Sequence, residues 1–235
     1  MAWELLARRG DIPTFVLPPP SRIVSFTLGH WQSMLYHAAV TIRQALLGFL
    51  LSVSIGIFLG VVIVQSKFLE EALFPLLITS QVIPTIAIAP LLVLWLGFGS
   101  APKIAVAFLI SFFPIVINTV TGLKAVEADL LYLVRGLSAT RWQELFKVRF
   151  PNALPYLFAG FRVSITLSLI GGVVGEFVSA DQGLGFLILT GAGRLLTEQV
   201  FASIGLLGLA GIALFNLVRV LERLILPWEA SENIG

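Results

Sequence analysis

Arg162 and Glu176 are ionisable residues set into one long apolar run, and a charge near the centre of a bilayer costs on the order of 2.5–3.5 kcal/mol on insertion scales. Each therefore needs a use or a partner. They lie fourteen residues apart on one predicted helix, about 21 Å, so they cannot pair with each other within one chain. Arg162 sits near one end of the run, at a depth similar to Asn118 on the preceding run. It either neighbours an inner vestibule or snorkels to the headgroups. Glu176 sits at the other end and leads into Asp181-Gln182-Gly183-Leu184-Gly185, whose glycines permit a sharp re-entry toward the short apolar run 186–190. Judged by polarity and level, Gln81, Thr85, Asn118, Arg162, Ser164 and Ser168 are the residues that a solute pathway would draw on.

Other chemistries are poorly supplied. His30 and His37 stand seven apart without carboxylates nearby and fall short of a metal-ligand set. The chain has no cysteine, which excludes disulfides, thiolate metal sites and cysteine nucleophiles. No Gly-x-x-x-x-Gly-Lys-Ser/Thr phosphate loop occurs. An intramembrane enzyme would need a catalytic constellation, and isolated carboxylates do not make one. The formal charge of +2, with 15 Lys and Arg dispersed rather than striped, gives no nucleic-acid footprint.

The elements that position these residues follow from composition. With 57% hydrophobic and 12% charged residues and a mean hydropathy of +0.97, the chain reads as an all-α, polytopic membrane bundle. About 20 apolar residues cross a hydrocarbon core of roughly 30 Å, which predicts five spans, near Ala45–Val64, Ala72–Leu96, Ile104–Leu123, Ala153–Gly175 and Phe201–Leu224. The second contains Pro75, Pro84 and Pro90 and should be broken or kinked near Pro84. Residues 1–44 read as a connector ending in Pro18-Pro19-Pro20 and an interfacial helix from Ser21 to about Gln44; 45–224 is the transmembrane domain, and 225–235 a tail. Trp3 to Ala7 is too short an apolar run for a signal peptide.

Between the third and fourth spans, residues 124–152 form a basic loop carrying Lys124, Arg135, Arg141, Lys147 and Arg149, which marks it as cytoplasmic. Threading outward puts Lys67, Arg219 and Arg223 inside, with Lys103 and Arg194 outside. The N-terminal segment then falls outside against the usual bias, so that either its charge is tolerated there or a leading span is absent. Ala125 to Leu137 has helical character. A second short helix starts with Thr140 as N-cap and Gln143 three residues on, a capping box, and should end at Pro151. Trp142, Leu145 and Phe146 share one side of it at i, i+3, i+4 spacing, with Arg141, Glu144 and Lys147 facing away. On physical grounds such a helix either lies on lipid headgroups or docks into a partner protein.

Small residues recur every fourth position in two spans: Gly48, Ser52, Gly56 and Gly60 in the first, Gly160, Ser164, Ser168 and Gly172 in the fourth. Such faces let helix backbones approach closely where hydrophobicity gives no association force. Tight packing is the reading for the first stripe. In the fourth, Ser164 and Ser168 equally suit a polar pathway.

The run RGLSATRWQELFKVRFPNALPYLFAGFRVSI resembles the cytoplasmic EAA loop of ABC importer permeases of the type I fold. That pattern runs Glu-Ala-Ala, three residues, Gly, nine residues, Ile, any residue, Leu-Pro. Anchored on Pro151, its Leu falls at Phe150, its Ile at Val148, its Gly at Ser138 and its Glu-Ala-Ala at Tyr132-Leu133-Val134, so the second half matches and the first is degenerate. VIPTIAIAPLLVLWLGFG, GIFLG, INT and GEFVSADQGLGFLI are similar to the permeases of nitrate, sulfonate, taurine, bicarbonate and pyrimidine-precursor importers. The resemblance implies a non-catalytic permease subunit in a bacterial plasma membrane, paired with a second copy as a homodimer. Two separate ATPase subunits would carry ATP and Mg, an external binding protein would deliver solute, and this chain would bind no cofactor. It implies that Ser138, Thr140, Arg141, Trp142, Leu145, Phe146 and Lys147 couple to the ATPases, and that Glu176, Asp181, Gly183 and Gly185 lie near an external gate. A secondary transporter or channel subunit, which also uses polar residues in broken helices, is the rival reading.

Overall fold

The computed structural model describes residues 2–9, 13, 15–80, 82–179 and 181–227. Gln81 therefore lies outside the described residues. Every regular element among them is helical: α1 (Ala2–Arg9), α2 (Pro20–Gly29), α3 (Trp31–Gln65), α4 (Lys67–Ser80), α5 (Thr85–Leu96), α6 (Ser100–Lys124), α7 (Ala128–Gly136), α8 (Arg141–Glu144), a π turn (Leu145–Arg149), α9 (Phe150–Ser179), α10 (Leu184–Gly193) and α11 (Thr197–Ile225).

Four helical stretches are long and apolar enough to cross a membrane: Trp31–Gln65, Ser100–Lys124, Arg141–Ser179 and Thr197–Ile225. The second expected span is divided, as its prolines require. α4 ends at Ser80 and α5 starts after Pro84, whose extended backbone (φ −67°, ψ 105°) leaves the new helix to begin at Thr85. Thr85 is half-buried on the first turn of α5.

The first span differs from expectation at its start. No boundary falls near residue 44: α3 is continuous over 35 residues, about 52 Å at 1.5 Å per residue, and only α2 is separate, broken from it at His30 (φ −122°, ψ 22°). Arg22, His30 and Gln32, whose mixture with apolar residues suggests an interfacial segment, are exposed, while polar residues further along α3 turn into the bundle. His37, Thr41 and Gln44 lie on the side of α3 that meets α9, α10 and the turn between them.

α3 and α6 run parallel, joined by the broken pair α4–α5. Their contact is the small-residue stripe: a Cβ added at Gly48 would come within 2.5 Å of Ala107 Cβ, and one at Gly60 within 2.6 Å of Thr119 Cγ2. Between them Ser52 and Ser111 hydroxyls lie 2.7 Å apart, and each donates back into the backbone so that neither is an unpaired polar group in the core. α9 returns antiparallel to α6. At Gly171 an added Cβ would lie 2.7 Å from the Ala107 Cα, so the two backbones touch there. Ser164 and Ser168 are fully buried in this packing; Ser168 donates to the Ile165 carbonyl at 2.8 Å. α11 closes the core through Ala210, Leu214 and Val218, packed with Phe158, Ile165 and Leu169 of α9.

Candidate functional site

At one end of the bundle the loop between α6 and α9 folds into α7, α8 and the π turn. The capping box is present: Thr140 Oγ1 accepts from the Gln143 N–H at 3.3 Å, and the Thr140 N–H donates to Gln143 Oε1 at 2.8 Å. Ser138, at the glycine position of the resembled pattern, has φ +59°, the left-handed region that glycine adopts at no steric cost.

The loop helix does not end at Pro151. The five residues Leu145–Arg149 make a π turn, in which the Phe150 N–H reaches back to the Leu145 carbonyl, and the chain passes straight into α9. The wider turn supplies the physical reason. Pro151 has no N–H to give to an α-helical ladder and its ring would crowd the carbonyl four residues back, so the ladder opens just before it.

The extra residue in that turn also changes the faces. Leu145 is not on the exposed side; it is 2% exposed, packed with Leu123 and Ala153. Trp142 (65% exposed) and Phe146 (60%) stay outside, stacked with centroids 5.7 Å apart and planes at 11°. Leu133 and Leu137 of the α7 region are exposed too. Arg141 and Lys147 face solvent as expected. Glu144 does not: it is buried, and sequence reasoning missed its role.

Glu144 joins three elements. Arg135 of α7 donates to it through Nε (2.9 Å) and Nη2 (3.2 Å), and Arg149 donates from the π turn through Nε at 2.8 Å. Arg149 Nη1 also donates to the Leu123 carbonyl at 3.0 Å, tying the loop to the last turn of α6. The Arg135 hydrogen bond, with Arg149 behind it, outweighs burial and holds the Glu144 carboxyl down at about 2. Arg135 is raised in turn by the same hydrogen bond. The loop at residues 124–152 carries three arginines and two glutamates, and no spacing among them singles out this cluster. Beside it opens a cleft of about 450 Å³, bordered by Gln65, Arg135, Arg141, Glu144 and Arg149.

At the far end, the predicted gate residues come together. The Glu176 carboxylate accepts from the Gly185 N–H (2.6 Å) and from Thr41 Oγ1 (2.7 Å), while Thr41 Oγ1 accepts from the Leu184 N–H at 2.8 Å. The carboxylate fills the space a side chain would need, since a Cβ at Gly183, where φ is +115°, would lie 2.1 Å from Glu176 Oε1. The Gly183 N–H donates to His37 Nδ1 at 2.9 Å, and Asp181 pairs with the buried Lys103 at 3.4 Å. His37 thus has a structural role.

Among the described residues, the pathway candidates Arg162, Asn118 and Ser168 have separate polar partners. Arg162 neither stands free nor reaches only for lipid: its Nη1 lies 3.1 Å from Glu222 Oε2 on α11. Asn118 Nδ2 donates to the Pro114 carbonyl at 2.7 Å, and its Cβ side packs on Gly160. Ser164 Oγ has no hydrogen-bond partner among the described residues.

Comparison with known proteins agrees with this architecture. The sequence model of the family described as binding-protein-dependent transport system inner membrane component matches residues 52–227. The formylaminopyrimidine transport permease protein ThiX of Halalkalibacterium halodurans is 36% identical over 98% of this chain and 92% of its own length. The riboflavin transport system permease protein RibX of Chloroflexus aurantiacus is 39% identical over 97% of this chain and 86% of its own. Among solved structures, the MetNI methionine ABC transporter in an inward-facing conformation matches with a TM-score of 0.66 at 18% identity, over 82% of this chain and 97% of the matched chain. The helices, their order and these matches place the chain in the binding-protein-dependent transport system inner membrane component family, as a multi-pass permease component of an ABC transporter.

Proposed function

We propose that this chain is the permease subunit of an ATP-driven importer in a bacterial plasma membrane, and that the loop at residues 124–152 couples it to separate ATPase subunits. The loop end is then cytoplasmic and the Glu176 end external. Two copies of the chain would enclose the solute pathway, two ATPases would bind ATP and Mg and hydrolyse it, and an external binding protein would deliver a small polar solute. The chain itself would be non-catalytic.

One observation carries the reading: the stacked Trp142–Phe146 pair stands exposed on a turn that is continuous with a membrane-spanning helix. Exposed aromatic anchors are the residues that seat in a partner's groove. Leu133 and Leu137 extend that apolar surface, Arg141 and Lys147 rim it, and Ser138 and Thr140 set the angle of the helix that presents it. Leu145, packed inward, would transmit movement to α6 and α9 rather than touch the ATPase.

The test is co-purification of the chain with its candidate ATPase. Trp142→Ala together with Phe146→Ala should abolish association, whereas Lys147→Ala should weaken it only slightly. Solute transport that persists without any ATPase partner and follows an ion gradient would overturn the importer reading in favour of a secondary transporter.

A further inference from the structure

The cleft at the loop end does not include the stacked aromatic pair in its lining. It runs from Arg135, Arg141, Glu144 and Arg149 of the loop back to Val64 and Gln65, the last two residues of α3. Its level follows from the helices it joins. α3 is apolar through Val64, and Arg149 Nη1 donates to the Leu123 carbonyl one residue before the end of α6. Both helices are long and apolar enough to cross a membrane, so the cleft sits where spans pass from hydrocarbon to headgroups. Three guanidiniums border it against one carboxylate. Glu144 is occupied by Arg135 and Arg149, and Arg149 by Glu144 and Leu123. Arg141 and Gln65 are exposed, and neither side chain makes a hydrogen bond or ion pair among the described residues.

We propose that this cleft binds the phosphate of an anionic phospholipid of the phosphatidylglycerol kind, whose headgroup bridges the loop to the end of α3. The inference goes beyond the importer reading and does not depend on it. Basic pockets at the ends of spanning helices are where anionic headgroups collect, and a guanidinium is a planar fork that meets phosphate oxygens two at a time. Arg141 has its whole fork to offer, and Arg135 keeps Nη1, which its bonds to Glu144 do not use. The Glu144 carboxylate is the lining group that opposes an anion, and both its oxygens already accept from guanidiniums, so an excess of positive charge is left for the ligand. A zwitterionic lipid brings an ammonium group that the same guanidiniums repel. A phosphoglycerol headgroup brings hydroxyls, which the Gln65 carboxamide can meet as donor or acceptor. The volume of about 450 Å³, some fifteen waters at roughly 30 Å³ each, accommodates that headgroup. An acidic side chain of an ATPase is a poorer fit, because the surface proposed for that partner is the Trp142–Phe146 side, whereas this cleft reaches toward α3 and the bilayer.

The test is native mass spectrometry of the full chain in detergent, titrated with dioleoylphosphatidylglycerol or dioleoylphosphatidylcholine, and with inorganic phosphate as competitor. Wild type should retain the phosphatidylglycerol at concentrations where the phosphatidylcholine is lost, and millimolar phosphate should not displace it. Arg141→Ala should weaken retention by about fivefold or more, the effect of one basic side chain at a headgroup. Arg141→Lys, which keeps the charge and loses the fork, should fall between. Arg223→Ala removes an exposed charge from the last turn of α11, outside the cleft lining, and should leave retention unchanged. Because Arg141 and Arg223 are exposed, thermal midpoints in phosphatidylcholine nanodiscs should match wild type for all three variants. The proposal is overturned if both lipids are retained alike, if Arg141→Ala retains phosphatidylglycerol as wild type does, or if Arg223→Ala weakens it as much. Displacement by inorganic phosphate would also overturn it, since the site would then take free phosphate rather than a lipid.

Discussion

Ser138 holds a backbone conformation that costs an L-residue roughly 1–2 kcal/mol relative to the right-handed helix. Nothing else in its neighbourhood demands a side chain, since it is exposed. Ser138→Gly should therefore stabilise the purified protein by about 1 kcal/mol and raise its thermal midpoint, and Ser138→Val should lower the midpoint by more. Unchanged midpoints for both would mean that the turn between α7 and α8 is not fixed as described. The position was legible beforehand, because its alignment with a glycine of the resembled pattern already singled it out. Glu144 was not. An i, i+3, i+4 count assumes 3.6 residues per turn, and the π turn breaks that assumption one residue later, sending Leu145 inward and leaving Phe146 beside Trp142. The partner of Arg162 was hidden for a different reason: Glu222 lies sixty residues on, and no local pattern links them.

The small-residue stripe of α3 is a face of close approach to α6, as its spacing predicts, and on α9, where the spacing left packing and a polar pathway open, the closest backbone approach falls beside the stripe. Gly171 is the sharpest case, because its neighbour is the Ala107 backbone rather than a movable side-chain end. Gly171→Leu should drive α6 and α9 apart and cost several kcal/mol, on the scale of overpacked cores, whereas Gly208→Ala, with nothing within 4 Å of its Cβ, should be nearly neutral. Thermal aggregation in detergent separates the two; equal behaviour would refute the packing. The break at Pro84 was legible for the same kind of reason, a backbone rule that holds whatever surrounds it. The start of α3 was not, since the partners of His37 and Thr41 lie on α9 and the turn after it, far along the chain.

The threading of the chain sets both ends of the bundle at once. Parallel α3 and α6 and antiparallel α9 put the loop at residues 125–149 at one end, and Gln182, Lys103 and Tyr36 at the other. The chain has no native cysteine, so an introduced one reports only itself. A membrane-impermeant maleimide should label Lys147→Cys solely from the cytoplasmic face and Gln182→Cys solely from the external face of intact cells. Labelling of both from one side would invert or dissolve the topology. From residue 141 to residue 179 the helical path has no break, a run of 39 residues and somewhat under 60 Å. A torque applied at Trp142 meets no joint on its way to Glu176, where the carboxylate grips the first turn of α10. If the loop docks an ATPase as proposed, nucleotide closure on one side and the posture of α10 on the other would share a single shaft, with no clutch between them.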